Sequence, residues 1–346
     1  MTRDRSFLHR LPGYAGQGIM IAFSTFWTYW GTAEMYHEGW WGAWHNRLPY
    51  LAIIAVSLLP TLVAITWPLA GGVLISALGA ASILLFGVNT PFFGIVAVAI
   101  GLLFAADGIL CRRSAPDDAP AIPWWRHNLP YLLALGLPLI VLIVVSTRML
   151  PIVLTRVDDG DRGAQLIEGN GVSLVWAPEG PGWNWRQSWG GYPSWQSIAL
   201  YGVPPIGLGD KSGYGRQATG MVYAGAQEMV STNLCRYLRA DGLGLMDEPQ
   251  DVWRMPTSDE VVRSLVRHGE NAGCRWAGEP PVRAECDVLP DKESPLWATD
   301  HAAIYYWTAD QESDALGIYV SYNGWVNATF KAGGNPRHSY RCVRDP

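Results

Sequence analysis

The apolar positions fall into two regimes, with long unbroken stretches before residue 150 and short alternating runs after it. Residues 14–33, 50–68, 69–86, 91–110 and 129–147 each have the length and apolarity to cross a bilayer core of about 30 Å as a helix. The first stretch follows Arg3, Arg5 and Arg10 and is interrupted by few polar residues, Gln17, Ser24, Thr25 and Thr28 among them. Trp27, Tyr29 and Trp30 stand where a signal peptide needs a small-residue cleavage site, so the stretch is predicted to remain as a first transmembrane helix. Trp67-Pro68 and Asn89-Thr90-Pro91 mark the breaks between the next three spans. Gly71, Gly72, Gly79 and Ala80 predict close helix–helix contacts, because small residues let backbones approach.

The connections between spans are polar and rich in tryptophan. Residues 34–49 carry Tyr36, His37, Glu38, Trp40, Trp41, Trp44 and His45. Trp and Tyr collect at headgroup level, so the stretch reads as an interfacial belt. Glu34, His37, Glu38 and His45 are the residue types of a metal or proton site. The histidines lack a familiar ligand spacing, and no metal is assigned. Residues 114–128 are Pro-rich, with Trp124 and Trp125 as a second interfacial pair. Asp107 near the end of the fourth span is expected to pair with Arg112 or Arg113. The spans lack the spaced acids, histidines or arginines of a proton relay or voltage sensor, which weakens a transport reading.

Beyond a linker at 151–164, the period shortens. Asp158-Asp159-Gly160-Asp161 hints at a calcium loop, but the EF-hand positions and its closing Glu are missing. Asn170-Gly171 between 165–167 and 172–176 predicts a hairpin. Residues 178–193 are rich in Gly, Pro and Trp, holding Trp183, Trp185 and Trp189, with Trp195 close behind. Exposed, these rings would stack on sugar faces and form the candidate ligand site; buried, they fill the core of a loop-rich fold, and the core reading is favoured. A long helix is predicted over 218–240. Strands are predicted at 304–308, 317–322 and 326–331, the last two joined across Asn323-Gly324. Asn327-Ala328-Thr329 is formally a glycosylation sequon.

Between these lies the clearest helix start in the chain. Pro256 keeps its predecessor extended. Thr257 can cap, and Glu260 three residues on can reach back to the Thr257 N–H. Val261, Val262, Leu265 and Val266 then form one apolar stripe, with Gly269 as a stop and Trp253 just ahead.

Charge divides at the same place. Residues 1–150 carry a net +2 without a single Lys, and residues 151–346 a net −7. No basic stripe points to nucleic acid, no Gly-rich phosphate loop or nucleophile elbow appears, and no cofactor is implied. Short-loop arginines set orientation. A cytoplasmic N-terminus places Arg3, Arg5, Arg10, Arg112, Arg113 and Arg126 inside, against Arg47, Arg148 and Arg156 outside. Cys111 then lies at the cytoplasmic end of the fourth span, while Cys235, Cys274, Cys286 and Cys342 lie in the outer part. An even set in an oxidising compartment reads as disulfides, and spacing alone leaves all three pairings open.

Trp253-Arg254-Met255-Pro256-Thr257, followed by Glu260, resembles the Trp-Arg-Leu-Pro-Thr-x-x-Glu hallmark of a bacterial domain family. That family occurs at the C-terminus of a collagen-like adhesin and as Fibrobacter-type paralogous domains. Thr232–Leu238, Tyr306-Trp307-Thr308-Ala309 and Tyr340–Asp345 match its other motifs in order, over roughly residues 165–346. The resemblance implies an α+β fold like that of C-type lectins and formylglycine-generating enzymes. It also implies a bridge from Cys235 to Cys342, leaving Cys274 with Cys286. The expected protein has an α-helical membrane domain of five spans and one C-type-lectin-like domain outside a bacterial inner membrane, where it recognises a glycan or protein. A subunit docked to a membrane protein partner is the alternative. A formylglycine-type oxidase is a further one, and it would need a reactive cysteine pair.

Overall fold

The computed structural model describes residues 3–86, 91–113, 124–183, 193–203 and 223–346. Trp185, Trp189 and the Pro-rich stretch 114–123 lie outside the described residues, as do the side chains of Cys111, Arg112, Arg113 and Arg126. The chain divides into two compact units. One comprises Met1–Trp40 and Trp44–Val153, the other Trp41–Ala43 and Leu154–Pro346.

The first unit is helical: α1 Arg3–Glu34, α2 Leu48–Thr66, α3 Pro68–Phe86, α4 Pro91–Arg113 and α5 Trp124–Leu154. Among the described residues, three stretches are long and apolar enough to cross a membrane: Trp44–Thr66, Pro91–Leu110 and Asn128–Leu154. Pro68–Leu84 is apolar but shorter. The serine and threonine hydroxyls in the middle of α1 are answered by its own carbonyls. Thr28 Oγ1 donates to Ser24 O at 2.8 Å and Thr32 Oγ1 to Thr28 O at 2.6 Å.

Helices α3 and α4 meet through glycine. A Cβ at Gly72 would lie 2.5 Å from the Gly101 carbonyl oxygen, and one at Gly79 would lie 2.7 Å from that of Gly94. Two of the small residues singled out in the sequence thus sit where backbone meets backbone. Asp107 is buried, with its carboxyl against Gly13 of α1.

The second unit contains, in chain order, β1 Gln165–Gly169, β2 Val172–Trp176, α6 Trp195–Ala199, α7 Ala226–Ser231, α8 Ser258–Arg263, β3 Val266–Arg267, β4 Glu270–Asn271, β5 Val282–Arg283, β6 Tyr305–Gln311, β7 Leu316–Ser321, β8 Trp325–Phe330, β9 His338–Ser339 and β10 Val343–Arg344. A five-stranded sheet runs β5-β8-β7-β6-β9, and β10 returns the C-terminus to the first hairpin in the order β1-β2-β10. Asn170 and Gly171 both take positive φ, the requirement of a type I′ turn.

The capping box forms. Thr257 N–H donates to Glu260 Oε2 at 2.8 Å, and Glu260 N–H donates to Thr257 Oγ1 at 3.2 Å. Arg254 grips the same carboxylate with both terminal nitrogens, at 2.8 and 2.6 Å. Trp253 is buried and donates its indole N–H to Arg239 O at 2.9 Å. Arg254 and Val343 exchange backbone hydrogen bonds, tying the segment before α8 to the C-terminal strand.

Two helices end sooner than the pattern predicts. After Arg263 the chain turns into β3, and His268-Gly269, both at positive φ, make the turn of the β3–β4 hairpin rather than a helix stop. In the 218–240 stretch, α7 ends at Ser231. The Asn233 side chain then accepts from Cys235 N–H at 3.0 Å and starts a separate turn, Leu234–Tyr237, that carries Cys235. A short amide side chain that bonds its own backbone competes with helix continuation. Cys235 is bonded to Cys342, with Cα atoms 5.7 Å apart, and Cys274 is bonded to Cys286.

The core of this unit gathers Trp195, Ile198, Leu200, Met229, Leu234, Trp253 and Trp307 around the first of these bridges. Trp41 belongs to this unit, its ring buried with the Arg156 guanidinium 4.0 Å from the centroid.

Candidate functional site

A strand sends alternate side chains to opposite faces, so register decides which residues share a surface. In the five-stranded sheet, Tyr319 of β7 lies opposite Asn327 of β8 and Trp307 of β6, and Trp325 lies opposite Arg283 of β5. Tyr305 pairs with His338 of β9, the one parallel partner in this sheet. One face therefore carries a row of rings. His338 stacks on Trp307 with centroids 4.7 Å apart, and it lies 4.9 Å from both Tyr305 and Tyr319. Tyr305 and Tyr319 meet edge-on at 5.0 Å.

Exposure rises along this row. Trp307 is fully buried, with its indole N–H donating to Pro193 O at 2.9 Å. Tyr305, Tyr319 and Asn327 are half-buried, and Trp325 is 45 % exposed with Arg283 at 5.9 Å from its ring.

His338 is only 6 % exposed, and burial pushes its pKa down to about 4, so the imidazole is neutral near pH 7. Its Nδ1 meets Asn335 N–H at 3.1 Å and Asn335 Oδ1 at 3.2 Å. Its Nε2 has no hydrogen-bond partner among the described residues. Whichever tautomer is present, one buried ring nitrogen has unused hydrogen-bonding capacity. Neutral hydrogen-bonding groups beside flat π surfaces suit a polar, ring-shaped ligand better than a strongly charged one.

Of the tryptophans named from sequence, Trp185 and Trp189 lie outside the described residues, and Trp183 and Trp195 are taken up in the core. Trp183 is buried, donates to the Tyr306 hydroxyl at 2.6 Å and has the Arg341 guanidinium 3.5 Å from its centroid. Arg341 is itself buried and anchored by its Nε to Ala177 O at 2.9 Å. Trp195 is buried, donates to Thr308 O at 2.9 Å and has the Lys331 ammonium at 4.5 Å. Both rings thus turn inward, and no ring contact joins them among the described residues.

The acidic stretch after the membrane unit is committed internally. Arg162 binds both Asp158 oxygens at 3.0 Å, and Thr299 donates to the same carboxylate. Burial works to raise the Asp158 pKa, but the hydrogen bonds from Arg162 and Thr299 hold it well below the ordinary carboxylate range. Asp161 accepts from Gly163 N–H at 2.7 Å. In the first unit, by contrast, Glu34, His37 and Glu38 bring their donor atoms within 4.8 Å of one another, and His45 is not part of the set.

The ring row was within reach of sequence in part. Tyr305 and Trp307 alternate within one predicted strand, and the Asn323-Gly324 turn fixes which residues of β7 and β8 face each other. His338 gave no local signal, because its pairing with β6 is long-range.

Apolar helices and a disulfide-bonded, β-rich second unit define a membrane-associated protein with a part suited to an oxidising compartment. No family model, curated protein or solved structure matches the chain.

Proposed function

We propose that this is a membrane-anchored recognition protein whose outer unit binds a glycan on the sheet face formed by Tyr305, Tyr319, Asn327, Trp325 and His338. The observation that carries this reading is the graded row of rings, ending at exposed Trp325, with the unmatched His338 nitrogen at its buried end. Pairing of all four outer cysteines supports binding over an oxidase, which needs a reactive thiol.

In this reading the membrane unit has five spans, the N-terminus is cytoplasmic and the lectin-like unit faces the periplasm of a bacterial inner membrane. Trp41–Ala43, between the first and second helices, fold with the second unit. Four further crossings would return the chain to the same side, the arrangement that the arginine count favours.

The test is glycan-array binding by the full-length protein in detergent. Tyr319→Ala and Trp325→Ala should each weaken the retained ligand by roughly tenfold, the weight of about 1.4 kcal/mol. Equal binding by wild type and both variants would remove the site. Recovery of other membrane chains with the purified protein, with no glycan retained, would favour a structural subunit.

A further inference from the structure

The connection after α1 continues as a π-helix, Met35–Gly39. Turns of this kind are rare and concentrate at functional sites. Tyr36 and Trp40 stack at 5.1 Å. Positions 34, 37 and 38 fall at i, i+3 and i+4, the spacing that places side chains together along a helical surface. The result is a half-buried set of two carboxylates and one imidazole, with donor atoms all within 4.8 Å of one another.

The set is held from outside as well. Tyr50 of α2 donates its hydroxyl to Glu38 Oε2 at 2.7 Å. Gly39 permits that approach, since a Cβ there would lie 2.7 Å from the Tyr50 ring. A hydrogen bond that orients a carboxylate from behind is what metal ligands receive from their surroundings. Two carboxylates drawn together away from bulk water repel and favour a cation or proton between them. Among the described residues no salt bridge joins Glu34 to Arg or Lys, and the Arg47 guanidinium sits 3.9 Å from the centroid of the Trp40 ring.

We propose that Glu34, His37 and Glu38 bind a divalent transition-metal ion of the zinc, manganese or iron(II) class. One nitrogen beside carboxylate oxygens disfavours calcium and magnesium, which take all-oxygen shells, and copper(I), which takes sulfur. Donors at about 2.0–2.2 Å from one ion in a tetrahedral set stand roughly 3.3–3.6 Å apart, so any pair wider than that must close on loading. Three protein ligands leave a further position for water or a ligand.

The experiment uses tag-free full-length protein in detergent, stripped with chelator and titrated with Zn²⁺ by calorimetry and with Co²⁺ by visible absorption. One ion should bind per chain. Glu34→Gln and His37→Gln should each weaken binding by at least about tenfold, since loss of an orienting partner alone costs about 10–100-fold. His45→Gln should leave it unchanged. Tyr50→Phe should weaken it without abolishing it. Absence of saturable uptake, or one-to-one binding that survives both ligand substitutions, overturns the site. Should those variants not fold, the Co²⁺ spectrum of the unaltered protein decides. Bands of a four- or five-coordinate ion support the site, and the spectrum of the fully hydrated ion overturns it.

Discussion

At the scale of single residues, the most consequential group is a histidine that folding deprives of its charge. His338 lies among three aromatic rings, and its pKa falls from 6.5 to about 4 on folding. The unfolded chain then binds the proton more tightly, so this group's contribution is complete above pH 6.5 and is lost as pH falls towards 4. The loss approaches about 3 kcal/mol. Urea unfolding of the protein at a series of pH values should show that slope, and His338→Phe should flatten it. An unchanged slope would mean that the ring is charged in the fold. Trp253 and Thr257 act on stability by packing and capping instead. Trp253→Ala should cost about 3–5 kcal/mol through the cavity it leaves. Thr257→Ala should cost about 1 kcal/mol through the lost cap. Equal thermal midpoints for wild type and the Trp253 variant would be incompatible with burial of that ring.

At the scale of elements, close approach of α3 and α4 depends on glycines that face backbone. Gly72→Ala places a methyl against the Gly101 carbonyl, and overpacking of that kind costs roughly 1–3 kcal/mol. Gly18→Ala, where nothing stands within 4 Å, is the control. A detergent-unfolding series that ranks the two alike would refute tight packing. These glycines were legible in sequence, as were the cap at Thr257 and the hairpins at Asn170-Gly171 and Asn323-Gly324, because each is a local signal. The end of α8 was not legible. Val266 continues a helical stripe by spacing, yet it pairs with Asn271 because the His268-Gly269 turn captures it. The π-turn was equally hidden: residue types at 34, 37 and 38 were visible, but their convergence depends on the backbone. The ring row was legible strand by strand and illegible as a surface, because β9 joins it from a distance.

At the scale of the whole molecule, two bridges hold the second unit with unequal leverage. Cys235–Cys342 closes a separation of 107 residues and Cys274–Cys286 one of 12. In the chain-entropy account the first should stabilise by about 4–5 kcal/mol and the second by about 3 kcal/mol. Paired Cys→Ala variants compared by denaturant unfolding should keep that order, and a reversed order would show that native contacts outweigh loop closure. Trp41 adds a different kind of constraint. Its ring lies among Arg156, Lys292 and Tyr322, and burial holds the Lys292 amine well below its ordinary range. The second unit is therefore discontinuous in sequence: it cannot be complete until a segment made early in synthesis meets one made more than a hundred residues later. Excision of the C-terminal part as a soluble fragment would remove the indole and open its cationic lining to water. Supplying a short peptide spanning Trp41–Ala43 in trans should then restore thermal stability to such a fragment, in the manner of enzyme fragment complementation.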